Sequence, residues 1–173
     1  MEYSIDKSIS ILEKTPFVLE QLLSNLPDEW ISSNEGGETW SPFDVVGHLV
    51  HGESTDWIAR LEIILSDAPE KKFKSFDRFA QFHESKGKTM KMLLDEFKSL
   101  RVKNIKILKS KNLSEKDFNR LGIHPVFGNV TLKNLLSTWV VHDLNHLAQI
   151  SRVMAHQYKT EVGPWVEYLR ILK

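Results

Sequence analysis

The chain has no cysteine. That excludes disulfide staples and a thiol nucleophile of its own, and it removes the softest of the usual zinc ligands. It also has no excess of charge, since 23 Lys and Arg balance 23 Asp and Glu. No net positive field draws it toward nucleic-acid phosphates, so a nucleic-acid partner is not expected. Uncharged apolar runs of about 18 residues, the length that reads as a membrane span, are missing too. The opening MEYSIDKSISILEKT lacks the basic segment and apolar core of a secretory signal. These absences lead to the expectation of a cytoplasmic protein without membrane contact. Any metal it holds must rest on histidine, carboxylate or water.

What is present is ordinary for a globular chain: 41% hydrophobic and 27% charged residues over 173 positions. The length suits one domain, 1–173, with a real core. Helical periodicity dominates. Ile5, Ile9 and Leu12, then Leu19, Leu22, Leu23 and Leu26, mark a first helix ending near Asn25, with Pro16 causing a kink or a fresh start capped by Thr15. Ser41-Pro42-Phe43-Asp44 is a strong helix entry, because Ser41 can cap, Pro42 suits the first turn and Asp44 can reach back. This second helix is expected to run to about Ser66. Residues 67–86 read as a connection with a short helix around Phe76 to Phe82.

Met90, Leu93, Leu94, Phe97, Leu100, Ile105 and Leu108 mark a third long helix with a lysine-rich, solvated outer face. LGIHPVFGNV reads as a loop, and Thr131 opens a fourth helix to about Gln157. A short closing helix is expected from Trp165 to Leu172. The fold class is all-α, a four-helix bundle with short extra helices. Pattern alone leaves its path open between up-and-down and an overhand crossover.

His142 and His146, four apart in VVHDLNHLAQI, lie one above the other on a single helix face. Leu135, Trp139, Gln149 and Val153 share their stripe. His48, in WSPFDVVGHLVH, stands in an apolar stripe of the second helix with Val45, Leu49 and Gly52. Three histidines from two helices can hold one metal ion and leave positions open for chemistry. The competing reading is a set of surface or hydrogen-bonded core imidazoles, since neutral rings in a core need partners of some kind.

His51 is a second-ranked ligand, off the Val45/Leu49 line. Gly52 leaves room beside His48 either for substrate or for close helix packing. Asp143 gives only a weak match to the HExxH pattern, being too short to serve as its base, and is expected to face solvent or to back up a ligand. Gln149 can orient a ligand histidine, touch the substrate or meet solvent. Trp40 and Trp139 are expected to pack around the site. His83, His124 and His156 lie in polar or helix-end contexts and read as ordinary surface histidines.

Taken together, Trp40-Ser41-Pro42-x-Asp44-x-x-x-His48-Leu49 and His142-x-x-x-His146-x-x-Gln149-Ile150 resemble the pattern of the DinB-like metalloprotein superfamily, across most of the chain. The resemblance implies a four-helix bundle with an overhand crossover. It also implies a divalent metal, zinc or nickel, held by His48, His142 and His146. Its better understood members pair a low-molecular-weight thiol with an electrophile in S-transfer or isomerisation, which implies a metal-dependent thiol S-transferase-type enzyme here. It allows a homodimer. Two rival functions stay open: a metal-dependent hydrolase using metal-bound water, and a non-catalytic metal- or ligand-binding bundle.

Overall fold

The computed structural model describes residues 2–173. Its framework is four helical rods. The first is α1 (Ile5–Leu12) continued by α2 (Thr15–Leu23), and a short α3 (Asp28–Ser32) follows in a stretch that reads as turn in the sequence. The second is α4 (Pro42–Thr55) continued by α5 (Trp57–Leu65). A four-residue α6 (Gln81–Glu84) lies in the connection to the third rod, α7 (Met90–Ser110). The fourth is α8 (Leu132–His156). Among the described residues, no helix is long and apolar enough to cross a membrane.

The helix entries follow local chemistry. Ser41 Oγ accepts the Asp44 N–H at 3.2 Å while Asp44 Oδ2 accepts the Ser41 N–H at 2.9 Å, which satisfies two otherwise orphaned donors. At α8, Thr131 and Asn134 make the same reciprocal pair.

Both breaks inside rods also have local causes. Pro16 has no N–H to give to the Leu12 carbonyl four residues back, so the first rod loses a bond there. Thr15 does not cap the restart, as its hydroxyl instead donates back to the Ile11 carbonyl at 3.3 Å. The second rod, expected as one helix to Ser66, bends at Asp56, whose backbone sits at φ −110, ψ −68. Ser54 and Thr55 hydroxyls both donate to the His51 carbonyl, at 2.9 and 2.8 Å, and such back-bonding bends helices.

The first rod packs on the third and fourth, and so does the second. First and second therefore stand on a diagonal. An up-and-down ring, in which consecutive helices are neighbours, is thus excluded in favour of a crossed path.

Two differences from the sequence expectations lie outside the rods. LGIHPVFGNV is not a loop but a hairpin, with β1 (Leu121–His124) antiparallel to β2 (Gly128–Thr131) and Leu121 opposite Thr131. Four-residue strands of mixed polarity carry too little alternation to be read. Phe73 N–H and Lys71 C=O both bond Ile123, so the long connection docks along the hairpin edge. Gly122 lacks a side chain where the Phe73 ring and Ile64 press closest. The short helix sits at Gln81–Glu84, later than expected, and the C-terminal segment forms two 3-10 turns, Gly163–Tyr168 and Arg170–Leu172, rather than an α-helix.

The apolar core has two layers. One gathers Leu12, Trp57, Leu61, Ile105, Leu136 and Trp139, and the other Leu19, Val46, Leu49, Leu93, Phe97 and Ile150. Between them lies a charged seam. Arg101 falls between Phe97 and Ile105 on α7, Glu53 between Leu49 and Trp57 on the second rod, and Asp143 between Trp139 and Ile150 on α8. The expectation that Asp143 faces solvent or merely backs up a ligand is corrected: it is 0% exposed and takes both Arg101 Nη atoms, at 2.6 and 2.9 Å. Arg101 also donates to Glu53 Oε1 at 2.8 Å and to the Leu12 carbonyl at 2.7 Å, replacing the bond that Pro16 cannot make. Trp139 Nε1 and Asn104 complete the shell of Glu53, at 2.8 and 3.0 Å.

Burial pushes the Glu53 carboxyl up. It opposes the Arg101 charge as well, but the two carboxylates outweigh it and hold that pKa above its ordinary range. Removing one partner strands a buried charge, which typically costs about 3–5 kcal/mol. Arg101→Met is therefore expected to lower unfolding free energy by about that amount in urea denaturation, whereas Val102→Ala, on the exposed side of the same helix, is expected to change it little.

Candidate metal centre

The capping box starts α4 at Pro42, and from there His48 points inward on the face of Val45 and Leu49. His142 and His146 flank Asp143 on α8, and the Asp143–Arg101 pair sets the rotation of that helix. The three rings meet. His142 Nε2 lies 3.2 Å from His48 Nε2 and 3.2 Å from His146 Nε2, and one ligand atom from each ring falls within 4.8 Å of the others. His48 and His146 are buried and His142 is half-buried.

One imidazole Nε2 can make a single in-plane interaction, so His142 cannot satisfy both neighbours by hydrogen bonds. Three ring nitrogens brought this close together suit a cation. Two nitrogens about 2.0–2.1 Å from a common tetrahedral ion stand about 3.3 Å apart, close to the separation seen here. Protonation of the cluster is disfavoured: burial first, then the neighbouring imidazoles, push His48 and His142 down to about 3, and burial lowers His146 as well. Neutral rings are what a metal requires.

The outer nitrogens differ. His146 Nδ1 donates to Gln149 Oε1 at 2.8 Å, which frees Nε2 for the cluster and orients the ring. Nδ1 of His142 and Nδ1 of His48 are buried without a partner among the described residues. Gln149 thus touches a histidine rather than meeting solvent alone.

The cluster opens onto a cavity of about 660 Å³ whose wall includes Trp40, Gly52, Trp57, Phe76, Phe127 and Asn145. Trp40 lies 5.0 Å from His48 and stacks parallel to His146 at 6.5 Å. Trp139 does not line the cavity. It stacks on Trp57 at 5.7 Å, and Trp57 meets the edge of His142 at 5.1 Å. A Cβ on Gly52 would meet only Trp57 Nε1, at an ordinary 3.5 Å, so close packing does not demand a glycine there. Its bare face belongs to the cavity wall.

His51 stays outside the cluster, its Nδ1 paired to Glu84 of α6 at 2.9 Å. His83 is exposed and His156 half-buried. His124 departs from a simple surface reading, because the hairpin carries it into the cavity wall, where its Nδ1 accepts the Val126 and Phe127 N–H groups at 3.1 and 3.2 Å.

Several wall residues carry little or no sequence signal. Asp56 pairs with Arg60 at 2.7 Å and is pushed up to about 6, mainly by burial. Their spacing of four on a helix is the one legible hint. Phe76, Arg78 and the Arg152–Glu35 pair reach the cavity through tertiary packing alone.

Comparison with known proteins adds two findings. The chain matches the model of the DinB superfamily over residues 11–150. It is also similar to a solved structure described as "YfiT from Bacillus subtilis is a probable metal-dependent hydrolase with an unusual four-helix bundle topology", with a TM-score of 0.72, 23% identity, and coverage of 91% of this chain and 87% of that one. No curated protein matches the chain.

His142→Ala removes the nitrogen shared by both close contacts. Elemental mass spectrometry of untagged protein is expected to find about one equivalent of divalent metal per wild-type chain and a sharp fall in the variant. The metal-free protein is expected to be acid-sensitive. His48 and His142 have folded pKa values near 3, below the ordinary 6.5, so the folded state binds fewer protons than the unfolded state. Their contribution is complete above about pH 6.5 and is lost as pH falls toward about 3. Thermal unfolding across that window should show a shallower slope in His48→Gln/His142→Gln.

Proposed function

The chain belongs to the DinB superfamily, and on that premise we propose that it is a metal-dependent enzyme of the S-transferase type. In this reading His48, His142 and His146 hold one divalent ion, zinc or nickel, and a low-molecular-weight thiol is the nucleophile. The observation that carries it is the convergence of three neutral imidazoles at the wall of a cavity of about 660 Å³, room for two small reactants together. A bound ion supplies a Lewis acid with open coordination positions, which lowers the pKa of a thiol or water placed on it.

The chain's own residues supply the rest. Burial keeps the three rings unprotonated, and Gln149 holds the His146 tautomer. Trp40, Trp57 and Phe76 keep the floor apolar, so charge developing there is poorly screened by water. Among the described residues no carboxylate joins the cluster to act as a base. That favours a nucleophile that ionises with little help, and a thiol, with an ordinary pKa of about 8.5, needs far less help than water. The sulfur would attack an electrophilic carbon, form the C–S bond and expel the leaving group, the thiol proton passing to solvent. With no cysteine in the chain, the thiol is a second substrate.

One observation favours a hydrolase instead. Asp56 lines the same cavity with its carboxyl pushed up to about 6, poised to exchange a proton with water near neutrality. That activity is also the one in YfiT's description.

Zinc- or nickel-loaded protein offered several thiols with a chlorinated dinitroarene is expected to give metal-dependent C–S bond formation that is lost in His142→Ala. Turnover of nitrophenyl esters without thiol, abolished by Asp56→Asn, would replace this reading with the hydrolase. Metal-dependent stability with neither activity would leave a non-catalytic metal-binding bundle.

A further inference from the structure

Three arginines line the cavity, and they are not equivalent. Arg60 is held by Asp56 at 2.7 Å, and Arg152 is clamped by both oxygens of Glu35, at 2.8 and 2.7 Å. Arg78 makes no ion pair and no side-chain hydrogen bond among the described residues. Glu38, the remaining acid of the wall, is not within ion-pair distance of it.

Arg78 is nonetheless seated. Its guanidinium lies 5.2 Å over the Phe79 ring, Phe79 meets Trp40 at 6.4 Å, and Trp40 meets His48 at 5.0 Å. Two residues earlier, Phe76 stands edge-on to His48 at 5.4 Å, so this stretch of the connection is anchored against the histidine floor. The positive charge of Arg78 is felt at His48.

We propose that Arg78 is the anion-recognising residue of this cavity, and that the molecule the cavity takes carries a carboxylate on the part that does not react. The inference names the substrate class of the site above and rests on that reading of it. A guanidinium presents a planar fork of donors that matches a carboxylate in a bidentate pair. Arg152 has spent that fork on both oxygens of Glu35, and Arg60 has its charge paired through Nε to Asp56, whereas Arg78 faces no acid. The Phe79 ring beneath the guanidinium adds a cation–π contact that favours this placement of the charge.

The test is calorimetric titration of zinc-loaded protein with 3-mercaptopropionate and with 2-mercaptoethanol, which share a thiol and differ in the carboxylate. A parallel arm titrates metal-free protein with succinate, which has no thiol. Arg78 is exposed, so Arg78→Met and Arg78→Lys are expected to fold, which their melting temperatures check. The wild type should bind the carboxylated thiol about tenfold tighter or better than the uncharged one. Arg78→Met should lose that preference and Arg78→Lys keep part of it, and succinate affinity should fall by a similar factor in Arg78→Met. A preference that survives in Arg78→Met, or a wild type that does not bind succinate, overturns the proposal. If succinate still depends on Arg78 while zinc improves the binding of neither thiol, the anion site stands and the thiol reading falls.

Discussion

The Arg101 side chain is 1% exposed and ties its own rod to the other three of the bundle. It leaves α7, bonds the Leu12 carbonyl of the first rod, and takes Glu53 from the second and Asp143 from the fourth. Ionic groups this deeply buried are weak contributors to net stability, because desolvation offsets much of their attraction. Their effect is on arrangement. A helix shifted or rotated by one residue would leave at least one charge in the apolar core unpaired, whereas an apolar seam of similar size tolerates repacking. The break at Pro16 is part of the same device, since it frees the carbonyl that the guanidinium needs.

The histidine cluster inherits its geometry from that seam. Glu53 and His48 share α4, so the tie to Arg101 sets how far His48 reaches into the bundle. Asp143 lies between His142 and His146, so its bidentate pair turns both imidazoles toward His48. The sequence segment that holds the two histidines therefore serves two faces of one helix: an acid locked to the core and two rings opening to the cavity. The likeness to HExxH fails for this reason, because the residue after the first histidine is committed to Arg101 rather than to the cavity.

The walls of the cavity come from parts of the chain outside the four rods. The connection after α5 supplies Phe73, Phe76 and Arg78, and the hairpin supplies His124 and Phe127. They are held against each other by two backbone bonds to Ile123 and by the close fit of Phe73 over Gly122. The rods position the histidines, and these irregular segments determine what can approach them.

How much was legible follows from this division. Helices announced themselves by periodicity and by their caps, as at Ser41-Pro42-Phe43-Asp44 and Thr131, because those signals act within a few residues of chain. The histidine stripe was legible for the same reason, since a spacing of four on a helix is a local fact. Asp143 was misread and Arg101 overlooked although each stands in an apolar stripe, four residues after Trp139 and four after Phe97, because a charge at such a position is accounted for only when its partners arrive from other helices. The hairpin was missed because four-residue strands are stabilised by docking, not by their own pattern. By itself the sequence determined the four helical rods, the entries at Ser41 and Thr131 and the faces that carry His48, His142 and His146. Only the tertiary structure decided that three imidazoles meet, that the rods cross on a diagonal, and which arginine faces the cavity without an acid. Each of these depends on contacts between segments tens of residues apart, and no local propensity encodes them.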